Sequence, residues 1–442
     1  QQCEDLLFQS YHRAQPHLHG YDQHTRDLTP MRHLLDMARV PLDLAPTVTV
    51  TGSKGKGSTA ILTAALLEGM GHRIGLLTSP HLIHLRERIR INGRVIPESA
   101  FVDIMNDLAP FITVIARDLP PDKYLSPTGL FLAVALRYFA AQGVTALVLE
   151  TGRGGRFDDV HLAVNRVACF TPIMGEHLDK LGPTVADVAW HKAGIMRAGG
   201  LAVSVPQPDD VRAVLTAEAA ARSSAVRWVG EDVLYEADGA AVAVSLADSG
   251  YVERFRLHTP ARYQALNLAA AYGAATALDA MGATRPNIGQ RVAAVHLPGR
   301  CDTVSQLPRV IVDGAINRQS AAEFLASARP ITTTPIVLVT ALPSDKDADG
   351  LLETLVPHVA HTIITQVSAA HLHFDPRVSE KARALSPHVS DEPNVFAAFT
   401  LAVDLVGAHG TVWVVGTQSL VRDALTHWHQ DLDDLYAERE AR

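Results

Sequence analysis

The stretch Thr51-Gly-Ser-Lys-Gly-Lys-Gly-Ser-Thr59 decides the fold of the first part of this protein. It lies between the β-branched run 47–50, which is typical of a buried strand, and an apolar helix-like segment that ends near Met70. Glycines in such a turn let backbone N–H groups close on phosphate oxygens, and the N-terminus of the following helix adds a positive dipole. The stretch fits the short pattern GxxGKxS/T and not GxxxxGKS/T, because Gly57 is followed by Ser58. We therefore predict a nucleotide phosphate site formed by Gly52, Ser53, Lys54, Gly55, Lys56, Gly57 and Ser58.

Strand-like and helix-like segments alternate along the chain, a pattern typical of parallel sheets whose strands are joined by helices. Strands are predicted at 47–51, 74–77, 146–149, 167–171, 310–312, 335–339, 363–364 and 412–415, and helices at 97–117, 128–141, 184–196, 263–281, 319–328 and 393–408. The stretch 225–257 differs, since it contains short β-rich segments separated by turns with Gly and Asp, and there we predict antiparallel pairing. The segment 296–300 interrupts the alternation, so we predict two domains, 1–297 and 298–442.

Composition and charge exclude several classes of protein. Apolar residues make up 47% of the 442 residues, which is enough for a sizeable core. A net charge of −8 argues against a nucleic acid as partner. The three cysteines, Cys3, Cys169 and Cys301, are far apart and form no CxxC, so we expect neither a disulfide framework nor a thiolate zinc site. The most apolar helical stretch, 130–141, is short and contains Arg137, so we predict a cytoplasmic protein without a membrane segment.

Three polar side chains follow predicted strands and are candidates for a metal site. Ser79, Glu150 and His177 all lie just beyond the carboxyl end of a strand, which is where open α/β sheets gather their ligands. A hydroxyl, a carboxylate and an imidazole there are able to hold Mg²⁺ beside a nucleotide. Each also has an ordinary alternative. Glu150 could pair with Arg153 or Arg156, and His177 could be a loop histidine.

Taken together and in this order, the motifs resemble those of the folylpolyglutamate synthase/dihydrofolate synthase family of the Mur ligase superfamily. The resemblance runs from about Met31 to Leu420. The phosphate loop is similar to the family's TGTNGKGS. Further similar segments are 79–82 with 86–88 (SPHL and RER), 150–158 (ExGLGGRLD), 177–182 (DHxxxLG), 191–195 (EKAGI), 264–267 (QxxN), 298–300 (PGR), 313–317 (DGAHN) and 345–347 (DKD).

The resemblance implies both a fold and an activity. Residues 1–297 would form a Mur-ligase-type ATP-binding domain with a mainly parallel sheet of the P-loop ATPase type. Residues 298–442 would form the smaller, Rossmann-like α/β domain that ends such ligases. The activity would be an ADP-forming amide ligation, in which ATP converts the carboxylate of a small acid into an acyl phosphate and the amine of an amino acid, glutamate in this family, attacks it. The enzyme would act as a monomer.

The resemblance also implies roles for single residues. Lys56, His177 and Lys192 would be catalytic, and Lys192 matches the lysine that is carbamylated in the family. Magnesium would be bound by Ser79, Glu150, His177 and, once carbamylated, Lys192. Asn267, Arg300 and Asp313 would complete the nucleotide site. The acid substrate would contact Thr128, Phe131, Arg156 and Asp158.

Departures from the family pattern concern the substrate side more than the chemistry. The family's Glu before the carbamylated lysine is His191, the histidine of DGAHN is Ile316, the Glu of TxFE is Phe131, and the Asn of LDATN is His161. Loss of polar partners in a recognition pocket changes specificity, so we predict that dihydropteroate is a poor substrate. Two alternatives stay open, a paralogue that joins another acid and amine in specialised metabolism, and a nucleotide-binding relative without activity.

Overall fold

The computed structural model describes residues 2–279, 287–344, 346–369 and 372–436. Within these ranges the chain forms an eight-stranded sheet, a three-stranded sheet and a six-stranded sheet, all covered by helices. The predicted α/β class, with a mainly parallel sheet followed by a smaller α/β unit, is confirmed. Some predicted features lie outside the described residues. They are the helix end at 281, Asp345 of the DKD-like motif, and the two ends of the predicted domain ranges.

The large sheet has the strand order β4-β3-β2-β5-β1-β6-β7-β8. All neighbours pair in parallel except the β2–β3 and β3–β4 pairs at one edge. Its strands are β1 (Thr47–Thr51), β2 (Ile74–Leu77), β3 (Ile89–Ile91), β4 (Arg94–Val95), β5 (Ala146–Glu150), β6 (Val167–Phe170), β7 (Leu201–Ser204) and β8 (Ala225–Trp228).

The β-branched strand β1 lies between β5 and β6, and all of its residues are buried. This position explains its unbroken β-branched sequence, because a strand covered on both faces needs no polar alternation. The loops that follow β2, β5, β1 and β6 therefore lie side by side at the carboxyl edge of the sheet. The helices around it are α1 (Gln2–Ala14), α2 (Asp22–Thr25), α3 (Thr29–Met37), α4 (Lys56–Gly69), α5 (Glu98–Asp118), α6 (Pro127–Ala141), α7 (Leu178–Leu181), α8 (Val185–Ala193), α9 (Asp209–Ala221), α10 (Arg262–Leu278) and α11 (Ile288–Ala293).

Helix α5 is the one helix of the described residues that is long and apolar enough to cross a bilayer by length and composition. Its apolar side chains Phe101, Met105, Leu108 and Ile112 recur every three or four residues and are buried. They belong to the cluster that also contains residues of α3 and α6. The burial of one face against neighbouring helices is typical of a core helix.

The stretch 225–257 confirms the antiparallel prediction only in part. Strands β9 (Val233–Asp238), β10 (Ala241–Leu246) and β11 (Val252–Arg256) form the antiparallel three-stranded sheet. The first segment, β8, was wrongly included, since it pairs in parallel with β7 and extends the large sheet. The reason is its connection, because α9 carries the chain from β7 across the sheet and a helical crossover brings the next strand back in parallel.

The second half of the chain forms the six-stranded sheet, with the order β12-β13-β17-β14-β15-β16. Only β12 is antiparallel, in a hairpin with β13 that the sequence pattern did not indicate. Trp413 on β17 is fully buried at its centre against Phe324. The elements are β12 (Asp302–Gln306), β13 (Arg309–Asp313), β14 (Ile336–Ala341), β15 (His361–Ile364), β16 (Val389–Asp391) and β17 (Thr411–Gly416), with α12 (Arg318–Ala328), α13 (Ala348–Leu355), α14 (Arg377–Leu385), α15 (Val395–Val406) and α16 (Gln418–His427).

Two segments connect the halves. The chain passes once through 296–300, between the second and third sheets. It then returns after α16, where the Val95 amide donates to the Asp433 carbonyl at 2.9 Å and the His296 amide donates to the Leu435 carbonyl at 2.9 Å. The end of the described chain thus packs on the edge of the large sheet. The domain limits 1–297 and 298–442 stay a prediction.

Candidate functional site

The phosphate loop requires glycine at two positions for steric reasons. Gly52 has a φ of +149°, and a Cβ there would lie 1.9 Å from Oγ1 of Thr171. Gly55 has a φ of +83°, and its Cβ would lie 2.6 Å from Oδ1 of Asn267. Helix α4 begins immediately after Gly55 with Lys56. The loop therefore presents backbone N–H groups at a helix N-terminus, as an anion site requires.

Two lysines share one backbone acceptor in this loop, the partly buried Lys56 and the buried Lys192. Nζ of Lys56 and Nζ of Lys192 both donate to the carbonyl oxygen of Gly52, at 3.0 and 2.7 Å. Lys192 is 2% exposed and also donates to the carbonyl of Arg153 at 2.9 Å. Burial lowers the pKa of both amines, and the charge of Lys56 lowers the pKa of Lys192 further. In the described part of the chain neither amine forms an ion pair with a carboxylate, so a phosphate would supply the missing negative charge.

Glu150 ends β5 and is 3% exposed. Its Oε2 accepts a hydrogen bond from the Ser79 amide at 2.8 Å, which joins the loops after β2 and β5. A Cβ on Gly57 would lie 3.6 Å from the same oxygen, so the carboxylate faces the first turn of α4. Burial raises the pKa of Glu150 to about 7, although the charge of Lys56 acts in the opposite direction. A cation placed here would favour the ionised carboxylate.

The donor set fits magnesium only together with a nucleotide. Ser79 and Glu150 are in contact, and His177 is an exposed residue with a φ of 56° at the start of α7. No three His, Cys, Asp or Glu side chains form a metal site of their own among the residues that the structure describes. Magnesium commonly takes one or two carboxylates and completes its octahedron with phosphate oxygens and waters. One buried carboxylate beside a phosphate loop, with the Ser79 amide on it, fits such a partial site.

Helix α10 supports the phosphate loop from the other side. Gln264 and Asn267 are buried, and Nε2 of Gln264 donates to Oγ of Ser58 at 3.3 Å. Nδ2 of Asn267 donates to Oε1 of Gln264 at 2.9 Å. Asn267 thus lies against Gly55, close to the predicted nucleotide. Gln264 was not among the predicted site residues, although its motif had been noted.

Arg300 and Asp313 bring the second half of the chain to the same site. Oδ2 of Asp313 accepts hydrogen bonds from the Cys301 amide at 2.8 Å and from the Tyr263 hydroxyl at 3.1 Å. Burial raises the pKa of Asp313, and the nearby charge of Arg300 opposes this. The charge of Arg300 also lowers the pKa of Glu150. The charge of Arg300 thus acts on a buried carboxylate of each half of the chain.

Phe131 does not form an open pocket wall. It is 1% exposed, and the guanidinium carbon of Arg88 lies over its ring at 4.4 Å from the centroid. Nε of Arg88 donates to Nδ1 of His81 at 3.0 Å. One face of the Phe131 ring is therefore covered by a cation, and a direct role for Phe131 in substrate binding stays a prediction.

The other predicted substrate residues are held by the protein itself. Nη2 of Arg156 donates to Oε2 of Glu218 at 2.6 Å, and its guanidinium lies 4.4 Å from the ring centroid of Trp190. Asp158 is 1% exposed and accepts hydrogen bonds from two backbone amides at 3.0 Å. Thr128 lies beside the glycine-rich loop after β5, 4.0 Å from where a Cβ on Gly152 would be. A direct role for these residues in substrate binding stays a prediction.

Besides Gln264, sequence reasoning did not select Arg88, Arg153 or Glu176 for the site. Arg88 belongs to a quoted motif but was not selected, and Lys54 forms an ion pair with Glu176 that only the fold reveals. Arg153 forms a bidentate pair with the buried Asp22 of α2, which ties the N-terminal helices to the loop after β5. No signal in the sequence links positions so far apart.

The fold and the site define a class, an α/β protein with a nucleotide-type phosphate loop at the carboxyl edge of a parallel sheet and a second α/β unit that contributes polar residues. No family profile matches the chain. The dihydrofolate synthase/folylpolyglutamate synthase of Mycobacterium tuberculosis is 30% identical over 358 residues, which are 76% of this chain and 74% of that protein. The chain belongs to the folylpolyglutamate synthase/dihydrofolate synthase family, as its motifs predicted.

Two archaeal relatives are longer. A probable bifunctional folylpolyglutamate synthase/dihydropteroate synthase of Haloferax volcanii is 31% identical over 429 residues, 91% of this chain and 49% of the relative. A similar Halobacterium salinarum protein also matches over 49% of its length. The chain thus spans about half the length of these two relatives.

Solved structures agree with the fold. Mycobacterium tuberculosis folylpolyglutamate synthase complexed with ADP and AMPPCP superimposes with a TM-score of 0.84 at 25% identity, over 97% of this chain and 99% of that chain. E. coli FolC in complex with DHPP and ADP gives a TM-score of 0.78 at 26% identity, over 91% and 92% of the two chains.

Proposed function

We propose that this protein is an ATP-dependent, ADP-forming amide ligase that joins L-glutamate to the carboxylate of dihydropteroate or a folate. The observation that carries the proposal is that Lys56 and the buried Lys192 both donate to the Gly52 carbonyl, beside the buried Glu150. The names of the relatives and the E. coli complex with DHPP and ADP support the substrate class.

The phosphate loop and Lys56 bind the nucleotide. Backbone N–H groups of the loop and the N-terminus of α4 face the phosphates, and Lys56 neutralises the charge that develops during transfer. ATP supplies the phosphoryl group that activates the carboxylate of the acid. Asn267, Arg300 and Asp313 complete the nucleotide site, the last two from the second half of the chain.

Ser79, Glu150 and His177 are the proposed magnesium ligands, and carbamylated Lys192 joins them. Magnesium, when bound, neutralises part of the phosphoryl charge. The lowered pKa of Lys192 favours the neutral amine, which is the form that reacts with CO₂. The Lys192 amine donates hydrogen bonds to two carbonyl oxygens, and the charge of Glu176 opposes the effect of burial without outweighing it.

The acid substrate is proposed to approach Arg88 and Thr128, near the loops after β2 and β5. Arg88 is positioned by His81 and by the ring of Phe131, so its charge can attract a carboxylate. Closure of the second half over the first would exclude water from the acyl phosphate before the amine of glutamate attacks it. We propose that the enzyme works as a monomer in the cytoplasm, and light scattering checks the first point.

Release of ADP tests the function. The assay offers ATP and magnesium with dihydropteroate plus glutamate, with a reduced folate plus glutamate, and with each component omitted. We expect ADP only when acid and glutamate are both present. A kcat/KM for dihydropteroate plus glutamate of about 10⁴ M⁻¹s⁻¹ or above would contradict the sequence-based prediction that dihydropteroate is a poor substrate. The assay is repeated with carboxylic acids unrelated to folates, and turnover only with these would instead indicate the paralogue. Nucleotide binding without turnover on any acid would indicate the inactive relative.

A further inference from the structure

An ion pair lies across the phosphate loop. Nζ of Lys54 is 2.6 Å from Oε1 of Glu176, and the two side chains are 38% and 29% exposed. Lys54 directly precedes Gly55, at which the loop turns into α4. Glu176 lies in the segment after β6, next to His177. The pair is thus at the mouth of the predicted phosphate site and partly open to solvent.

The segment that carries Glu176 does not need this ion pair to stay in place. The Ser53 amide donates to the Pro172 carbonyl at 2.7 Å. Oγ of Ser53 accepts from the Met174 amide at 3.0 Å and donates to the Met174 carbonyl at 3.2 Å. These three hydrogen bonds fix 172–174 along the phosphate loop. The side chains of Lys54 and Glu176 are therefore free to separate while the backbone stays fixed.

Glu176 also acts on the two lysines that share the Gly52 carbonyl, Lys56 and Lys192. Its negative charge raises the pKa of Lys56 and that of Lys192, against the effect of burial. In this arrangement Glu176 provides negative charge where a nucleotide phosphate would provide it. The Glu176 carboxylate and a nucleotide phosphate would therefore compete for the same lysine side chains.

We infer that Glu176 is an internal competitor of the nucleotide phosphates, and that Lys54 exchanges Glu176 for a phosphate when nucleotide binds. The inference rests on the proposed nucleotide function and assigns a positioning role to Glu176 and Lys54. An ion pair exposed to this degree is weak enough to exchange. A phosphate group carries more negative charge than one carboxylate, so the exchange favours the nucleotide.

The test measures ADP affinity by calorimetry in EDTA at low salt. Glu176→Gln should tighten ADP binding by about two- to fivefold, the range that exposed ion pairs contribute. A residue that only supported the loop would loosen binding instead. Glu231→Gln is the matched control, because it removes a carboxylate from the exposed Arg212–Glu231 pair far along the chain, and it should leave ADP affinity unchanged.

Lys54→Gln provides an independent arm. Lys54→Gln should weaken ADP binding. In the double variant, the added Glu176→Gln change should no longer tighten ADP binding, because there is no Lys54 side chain for it to release. Unchanged or weaker ADP binding by folded Glu176→Gln would overturn the inference. Full ADP affinity in Lys54→Gln would overturn it as well, even if Glu176→Gln folded poorly. Wild-type protein that binds no ADP at all would instead remove the proposed function on which the inference rests.

Discussion

Replacing Lys192 by methionine should make the protein inactive and yet more stable at neutral pH. The side chain is 2% exposed, and burial lowers the pKa of its amine well below the ordinary value for lysine. The folded state therefore binds fewer protons at this group than the unfolded chain, so stability rises with pH between the folded and the unfolded pKa. Below that window the wild type pays about 1.4 kcal/mol for each unit by which the pKa is lowered.

Methionine removes this cost and fills a similar volume, but it gives up two hydrogen bonds. The Gly52 carbonyl keeps its bond from Lys56, whereas the Arg153 carbonyl loses its bond from Lys192. An acceptor left without a partner costs about 1–3 kcal/mol. Because burial lowers the pKa of Lys192 well below its ordinary value, we expect the removed cost to exceed this loss near pH 7. The advantage of the variant should then shrink by up to about 1.4 kcal/mol per pH unit on going to pH 9.

Urea unfolding of both proteins at several pH values measures this difference. Lys381→Met, at an exposed lysine paired with Asp349, is the control and should show no such trend. A stability difference that does not change with pH, or that grows as pH rises, would refute the reasoning about Lys192. Labelling with ¹³C-bicarbonate should add a carbamate NMR signal in the wild type that Lys192→Met lacks, and ligase activity should disappear in the variant.

Three further predictions concern the same site. Lys56→Ala should lower kcat/KM by about 10³-fold or more while circular dichroism shows an intact fold, because the charge of Lys56 serves the phosphates; full turnover would remove the nucleotide assignment. Glu150→Gln should raise the magnesium concentration needed for half-maximal rate. At limiting magnesium, the wild type should lose activity as pH falls through about 7, where Glu150 becomes protonated, and Glu150→Gln should not show this loss. An unchanged magnesium titration would exclude Glu150 as a ligand. Arg88→Met should raise KM for the acid and leave KM for ATP unchanged, and equal effects on both would show that Arg88 only supports the fold.

Local patterns in the sequence were sufficient for the phosphate loop and its neighbours. The strand at 47–51, the glycine turn and the following helix follow from spacing and backbone sterics, which act over a few residues. Gly55 is an example, since its left-handed conformation at the start of α4 is tolerated without strain by glycine alone. The order of the motifs was specific enough to identify the family before any contact was known.

Tertiary structure decided what each side chain touches, and there the sequence was insufficient. Phe131 looked like a changed pocket residue, but packing places it beneath Arg88, because a buried ring and a cation lower each other's free energy. Lys192 meets the carbonyl of Gly52 across 140 positions of sequence. Strand β8 joined the large sheet because of a crossover helix that no short-range pattern describes. The sequence by itself determined the helices, the strands and the chemical groups that they carry. The charge state of each group depends on its burial, its hydrogen-bond acceptors and its ion pairs, and these arose only when distant segments packed together.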